Sequence, residues 1–203
     1  MKKAAIAGFA AGVAMAIGGA LGAVSNLSDT RPIVDPNAEI MNPMIAGQAM
    51  LPDHDLMANI SASPEHVKLA AALRESGIAT VLKSNGQFTL FAPVDSAFNV
   101  EGAAGNKMQL AHRIGYLVVP GKLDSQALLQ QINQGGGETR LRTIDGGVLV
   151  AKLNGPTNIQ LMDEGGRIAD ISVYDVHSKN GVIMVIDYMA APSGPPRQVA
   201  SNN

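Results

Sequence analysis

Four histidines, His54, His66, His112 and His177, are the side chains best able to carry acid–base or metal chemistry. No two of them stand at i, i+4, the spacing by which one helix presents two imidazoles to zinc. Asp53-His54-Asp55 offers weak cation affinity at most and reads as a solvated turn. His177-Ser178 has the composition of a base and its nucleophile, yet neighbours in a strand point to opposite faces and cannot share a proton. Gly135-Gly136-Gly137 lacks the Lys-Ser/Thr of a phosphate loop, and it ends a helix instead of opening one. Cysteine is absent, which excludes disulfides, thiolate metal sites and thiol catalysis. These residues imply no catalytic constellation, no metal and no cofactor.

Composition narrows the class further. The chain has 203 residues, 46% of them hydrophobic, but aromatics are only 3% and tryptophan is missing, so Val, Ile, Leu, Met and Ala must build the core. The formal charge of −2, without a basic patch, argues against a nucleic-acid partner. Ten methionines include Met41, Met44, Met50 and Met57 in one stretch. Gap filling in the core and an adaptable apolar contact surface both fit them.

The elements that must position any site begin after residue 24. Lys2 and Lys3 precede an uncharged run over 4–24, with Ala4, Phe9, Val13, Ile17 and Leu21 spread along it. Its length suits either a cleaved secretory leader or an uncleaved N-terminal membrane anchor, and its glycines favour cleavage. Both readings export the rest of the chain, as a periplasmic, extracellular or membrane-anchored protein. Pro32, Pro36 and Pro43 make 25–44 an extended tether. Residues 45–192 form the folded unit, and 193–203 a loose tail.

Within that unit, Ser63 and Pro64 open a helix that Gly77 stops, with Leu69, Ala72 and Leu73 inward. Helices are also predicted over 106–115, with Leu110, Ala111 and Ile114 inward, and from the cap Asp124 to Gly135, with Leu128 and Ile132 inward. Strands follow at 88–94, at 140–144 and 148–153 around the Asp145-Gly146-Gly147 turn, at 158–162 and at 167–176. The alternation of the last slips near Tyr174–Val176, as at a bulge or a change of sheet. Asn180-Gly181 turns the chain into VIMVI (182–186), which is apolar at both parities and must be covered on both faces. Early helices and late strands give an α+β class with a layered β core.

Four stretches in order resemble the fasciclin family of secreted and cell-surface domains: FTLFAPVDSAF (88–98), YLVVPGKL (116–123), GGGETRLRTIDGG (135–147) and NGVIMVID (180–187) followed by Pro192. The resemblance implies a wedge-like β-sandwich of about seven strands with several small helices on one edge. It implies a short helix opened by Asp95, and a non-enzymatic role in adhesion, matrix or ligand contact. Two positions depart from the family pattern. Leu117 follows Tyr116 where histidine is common, and Met184 stands where the last signature usually carries histidine. Both replace a titratable, hydrogen-bonding ring by an apolar side chain in the region to which the family's adhesion role is attached.

Three functions follow as expectations. The first is an exported interaction or adhesion module with a protein partner in the cell envelope or extracellular matrix. The second is a carrier of a hydrophobic small molecule, a lipid or pigment, in an apolar pocket bordered by Leu117, Met184 and Tyr188 with Tyr116 nearby. The third is an accessory subunit of a membrane assembly, making membrane contact through residues 4–24.

Overall fold

The computed structural model describes residues 41–101 and 105–195. The expected leader or anchor with Ala4, Phe9, Val13, Ile17 and Leu21, the tether up to residue 40 and tail residues 196–203 lie outside the described residues. In chain order the elements are β1 (Met44–Ile45), β2 (Gln48–Ala49), α1 (Leu56–Ala62), α2 (Val67–Ser76), α3 (Ile78–Leu82), β3 (Phe88–Pro93), α4 (Lys107–Gly115), β4 (Val118–Pro120), α5 (Ser125–Gln134), β5 (Glu138–Arg142), β6 (Val148–Leu153), β7 (Ile159–Met162), β8 (Ile168–Ser178) and β9 (Gly181–Ile186).

The helices form where caps and apolar spacing agree. Asn106 accepts from the amides of Met108 and Gln109 to open α4, and Asp124 accepts from Ala127 to open α5. Leu110 and Ile114 of α4 are buried as expected; Ala111 is half-buried, and His112 is buried beside them. The start of α2 corrects the sequence reading. Ser63 closes a helix, α1, that the sequence did not reveal, and Asp55 opens it by accepting from Ala58. A turn at Pro64-Glu65 then resets the axis before α2 begins. Gly77 ends α2 at φ +83°, the left-handed conformation that favours glycine, and α3 follows at once.

Seven strands form one mixed sheet in the order β4-β3-β9-β8-β7-β6-β5, giving an α+β fold. β9 lies inside it, parallel to β3 and antiparallel to β8, and every residue of β9 is buried. VIMVI is therefore the inner strand that its two apolar parities required. β8 bridges the two halves: Ile168–Asp170 pair with β7, and residues from Ile171 onward pair with β9. The expected slip is present as register shifts between Ile171 and Val173 and between Val173 and Val176, with Asp175 at φ +57°. Just beyond β5, the Ile144 amide donates to Val118 O of β4 over 2.8 Å, so the sheet's two outer strands curl toward each other.

The residues just before 45 touch the folded unit. Asn42 exchanges two hydrogen bonds with the His177 backbone, at 2.7 and 2.8 Å. Asn59, buried on α1, donates to Leu51 O and to the Ser178 hydroxyl at 2.9 Å each, pinning the lead-in and α1 to β8. Met50, Met57, Met184 and Met189 fill the core, whereas Met41 is 89% and Met44 62% exposed. No helix among the described residues is long and apolar enough to cross a membrane.

Candidate interaction cleft

Because β3 and β9 run parallel and side by side, their C-terminal ends release two loops at the same end of the sheet. The loop after β3 does not form the short helix expected at Asp95. Residues 95–97 are a turn, and the Asp95 carboxylate instead accepts from the amides of Val67 and Lys68, at 3.2 and 2.9 Å. Asp95 thus caps α2 from outside, satisfying amide donors that α2 cannot pair within itself. The loop after β9 is tied to it where the Asn99 amide donates to the Met189 sulfur at 3.2 Å.

Between these loops, the C-terminal turn of α4 and the β7–β8 turn lies a cleft of about 630 Å³. Arg113, Arg167, Asp187, Tyr188 and Phe98 lie among its lining residues. Arg167 is held rigidly. Its Nε donates to the buried Asp163 carboxylate at 2.9 Å, its Nη2 donates to Ala191 O at 3.4 Å, and its guanidinium carbon lies 5.9 Å from the centre of the Tyr188 ring. Asp163 also accepts from the amides of Gly165, Arg167 and Ala191, so one buried carboxylate fixes the turn and the arginine together. Arg113 has no hydrogen bond or ion pair among the described residues. Asp187 accepts from the Asp170 amide at 2.8 Å through Oδ1 alone.

Of the four candidate contact residues, the cleft takes in Tyr188 alone, which is 40% exposed. Tyr116, Leu117 and Met184 have no exposed surface. Tyr116 is a strut: its hydroxyl donates to Val148 O at 2.6 Å and accepts from the Glu164 amide at 3.1 Å. Leu117 and Met184 flank Phe91 in the sheet. The Phe91 amide donates to Leu117 O at 2.9 Å, and Met184 is the register partner of Phe91 on the other side. Apolar side chains at those two positions leave no buried polar ring to satisfy.

The histidines are dispersed. His54 is exposed, and its carbonyl accepts from Lys179. His66, the residue that opens α2, is sealed from solvent, and its Nδ1 lies 2.7 Å from Ser63 Oγ. Burial pushes its pKa down, with the Ala92 backbone, Asp95 and Glu65 opposing in part. His177 and Ser178 do not pair; the Ser178 hydroxyl is engaged by Asn59. His112 meets Asp145, the first residue of the hairpin turn signal, at 2.5 Å. Among the described residues no group of three or more His, Cys, Asp or Glu is placed to hold a metal ion.

A second, more apolar groove of about 410 Å³ runs past α2 and α4, with Ala71, Ala72, Val100 and Leu110 in its wall. Phe98 lines both clefts. Sequence reasoning missed Arg113, Arg167, Asp187 and Phe98, since they come from four separate segments with no shared spacing. The positions just past two parallel strand ends were the available clue.

Comparison with known proteins gives a consistent picture. A family model, the Fasciclin domain, matches residues 64–192. The uncharacterized protein sll1735 of Synechocystis sp. is 31% identical over 127 residues, covering 59% of this chain and 84% of that protein. Protein sll1483 of the same organism is 31% identical over 134 residues, covering 61% of this chain and 66% of its own length. The solved structure of a FAS1 domain pair from the insect cell adhesion molecule fasciclin I superposes with a TM-score of 0.53 at 19% identity, covering 61% of this chain and 44% of that one. At that identity the likeness is one of fold.

Proposed function

The chain belongs to the fasciclin domain family, and from that premise we propose that it is an exported, non-enzymatic contact module whose working surface is the cleft between the ends of β3 and β9. Domains of this family are generally non-enzymatic, commonly serve adhesion or protein interaction, and are typically extracellular or secreted. The lysines and uncharged run at the N-terminus support export. The partner is then a macromolecule of the cell envelope or the surrounding matrix.

The observation that carries this reading is the state of the cleft. An exposed tyrosine is braced by a fixed arginine, and a second arginine stands without a partner among the described residues. Aromatic and arginine side chains of this kind are the usual anchors of contact surfaces. By contrast, Tyr116, Leu117 and Met184 could meet a partner only if the core opened. Co-sedimentation of the purified protein with the cell-envelope fraction of its source organism tests the assignment. Tyr188→Ala combined with Arg113→Glu should abolish sedimentation while leaving the melting temperature unchanged. Full retention by that variant would refute it.

A second reading, a carrier of a hydrophobic small molecule, draws on the apolar groove beside α2 and α4. Organic-solvent extraction of protein isolated from its source separates the two readings. An empty, colourless extract from folded material removes the carrier. Mass spectrometry of the native N-terminus decides between a released module and a subunit held in a membrane assembly.

A further inference from the structure

Resting on the reading of this cleft as the contact surface, we propose that what it holds is an uncharged sugar chain, a short run of neutral saccharide rings displayed on the partner. The inference starts from the groups that the fold leaves unused. Arg113 offers guanidinium donors and Asn99 an amide donor, while Glu101 and the second oxygen of Asp187 offer acceptors, and all four residues line one cleft. Asn99 Oδ1 is already engaged by the Glu101 amide at 2.8 Å, which fixes the carboxamide and leaves its NH₂ for a ligand. Planar groups of this kind bind adjacent hydroxyls in pairs, donors and acceptors together.

Charge decides against ionic ligands. Two arginines face Asp187 and Glu101 in the cleft, with Asp163 already paired to Arg167 behind it. With Arg167 compensated by Asp163, a phosphate or an acidic segment would meet two carboxylates against the single guanidinium of Arg113, and a cationic segment would meet that guanidinium. A neutral polyhydroxyl ligand uses both signs without repulsion. Tyr188 and Phe98 supply the apolar surface on which the C–H face of a sugar ring packs. Arg167 holds the tyrosine ring in position beforehand, which lowers the ordering cost of binding. A volume of about 630 Å³ lies in the range of small-molecule sites. A peptide strand is less suited, because it recognises a sheet edge, and the cleft lies at the end of the inner strands β3 and β9.

Amide chemical-shift titration of the whole protein with neutral trimers of glucose, galactose and N-acetylglucosamine tests this, with trigalacturonate and the glucosamine trimer as charged counterparts. At least one neutral trimer should give saturable shifts at Asn99, Asp187 and Met189. Tyr188→Ala should weaken that binding about ten-fold or more, and Tyr188→Phe, which keeps the ring face, should restore it. Absence of saturable shifts with all three neutral trimers, or tighter binding of a charged one, overturns the proposal. If the sugars are inert but envelope sedimentation still depends on Tyr188, the sugar assignment falls and the contact surface stands. If sedimentation ignores Tyr188, the contact surface falls whatever the sugars do.

Discussion

His112 Nδ1 on α4 lies 2.5 Å from Asp145 Oδ1 in the β5–β6 turn, and both side chains are all but sealed from solvent. The two residues are 33 apart in sequence, so this contact helps tie α4 to the hairpin, beside the Tyr116 hydroxyl on Val148 O. Gly115 belongs to the same junction: a Cβ there would meet Asp145 Cβ at 3.4 Å. Removing one partner strands the other in an apolar setting, which costs about 1–3 kcal/mol. Asp145→Ala should lower the urea-unfolding free energy by that amount, and His112→Leu added to it should recover part of the loss. Strict additivity of the two substitutions would show that they do not interact.

Gly181 is set by contact. A Cβ at that position would stand 1.9 Å from Phe88 O, the first carbonyl of the parallel neighbour. The two strands cannot separate locally, because the ladder continues to Pro93 and Ile186. Gly181→Ala should therefore destabilise the domain by about 3 kcal/mol or more, read as a fall in melting temperature. A variant that melts like the parent would contradict the close approach of β3 and β9.

His66 makes stability depend on pH. Its folded pKa is lowered from 6.5 by burial, so below the ordinary imidazole range the unfolded chain takes up the proton first. Its contribution is complete above pH 6.5 and declines as pH falls through that value toward the depressed folded pKa. His66→Gln should flatten the fall in melting temperature between neutral and mildly acidic pH. Parallel curves for the two proteins would place the pH dependence elsewhere.

Met184 is sealed among apolar neighbours, with its sulfur 3.5 Å from the Asp175 amide at the β8 bulge. Met184→Ala should cost about 2–5 kcal/mol through the cavity it leaves. Met184→Asp should cost at least as much, by burying an unpaired carboxylate. Thermal melting unchanged by Met184→Asp would mean that the strand is not where its pairing with β3 puts it.

Much of this fold was legible because local chemistry and global position agree. Asp124 acts as the cap that it resembles, Gly77 as the stop, and VIMVI as a strand without a wet face. What escaped were groups whose roles are set by partners far along the chain. Asp55, read as part of a solvated turn, caps α1, and Asp95, read as opening its own helix, caps α2. His112 and Asp145 carry no shared motif. The candidate site was the least legible: only Tyr188 was anticipated, because the cleft is assembled from loops and turns that neither periodicity nor spacing connects.

The parallel pairing of β3 with β9 has a consequence for biosynthesis. Phe88 and Gly181 are register partners 93 positions apart, 181 minus 88. Ribosomal synthesis delivers β3 long before its neighbour exists, and closing so distant a contact is slow. Until β9 emerges, β3 lacks the neighbour that pairs along its whole length. Among the described residues, a stop codon shortly before residue 181 would leave every helix and eight of the nine strands encoded, yet no partner for the inner edge of β3.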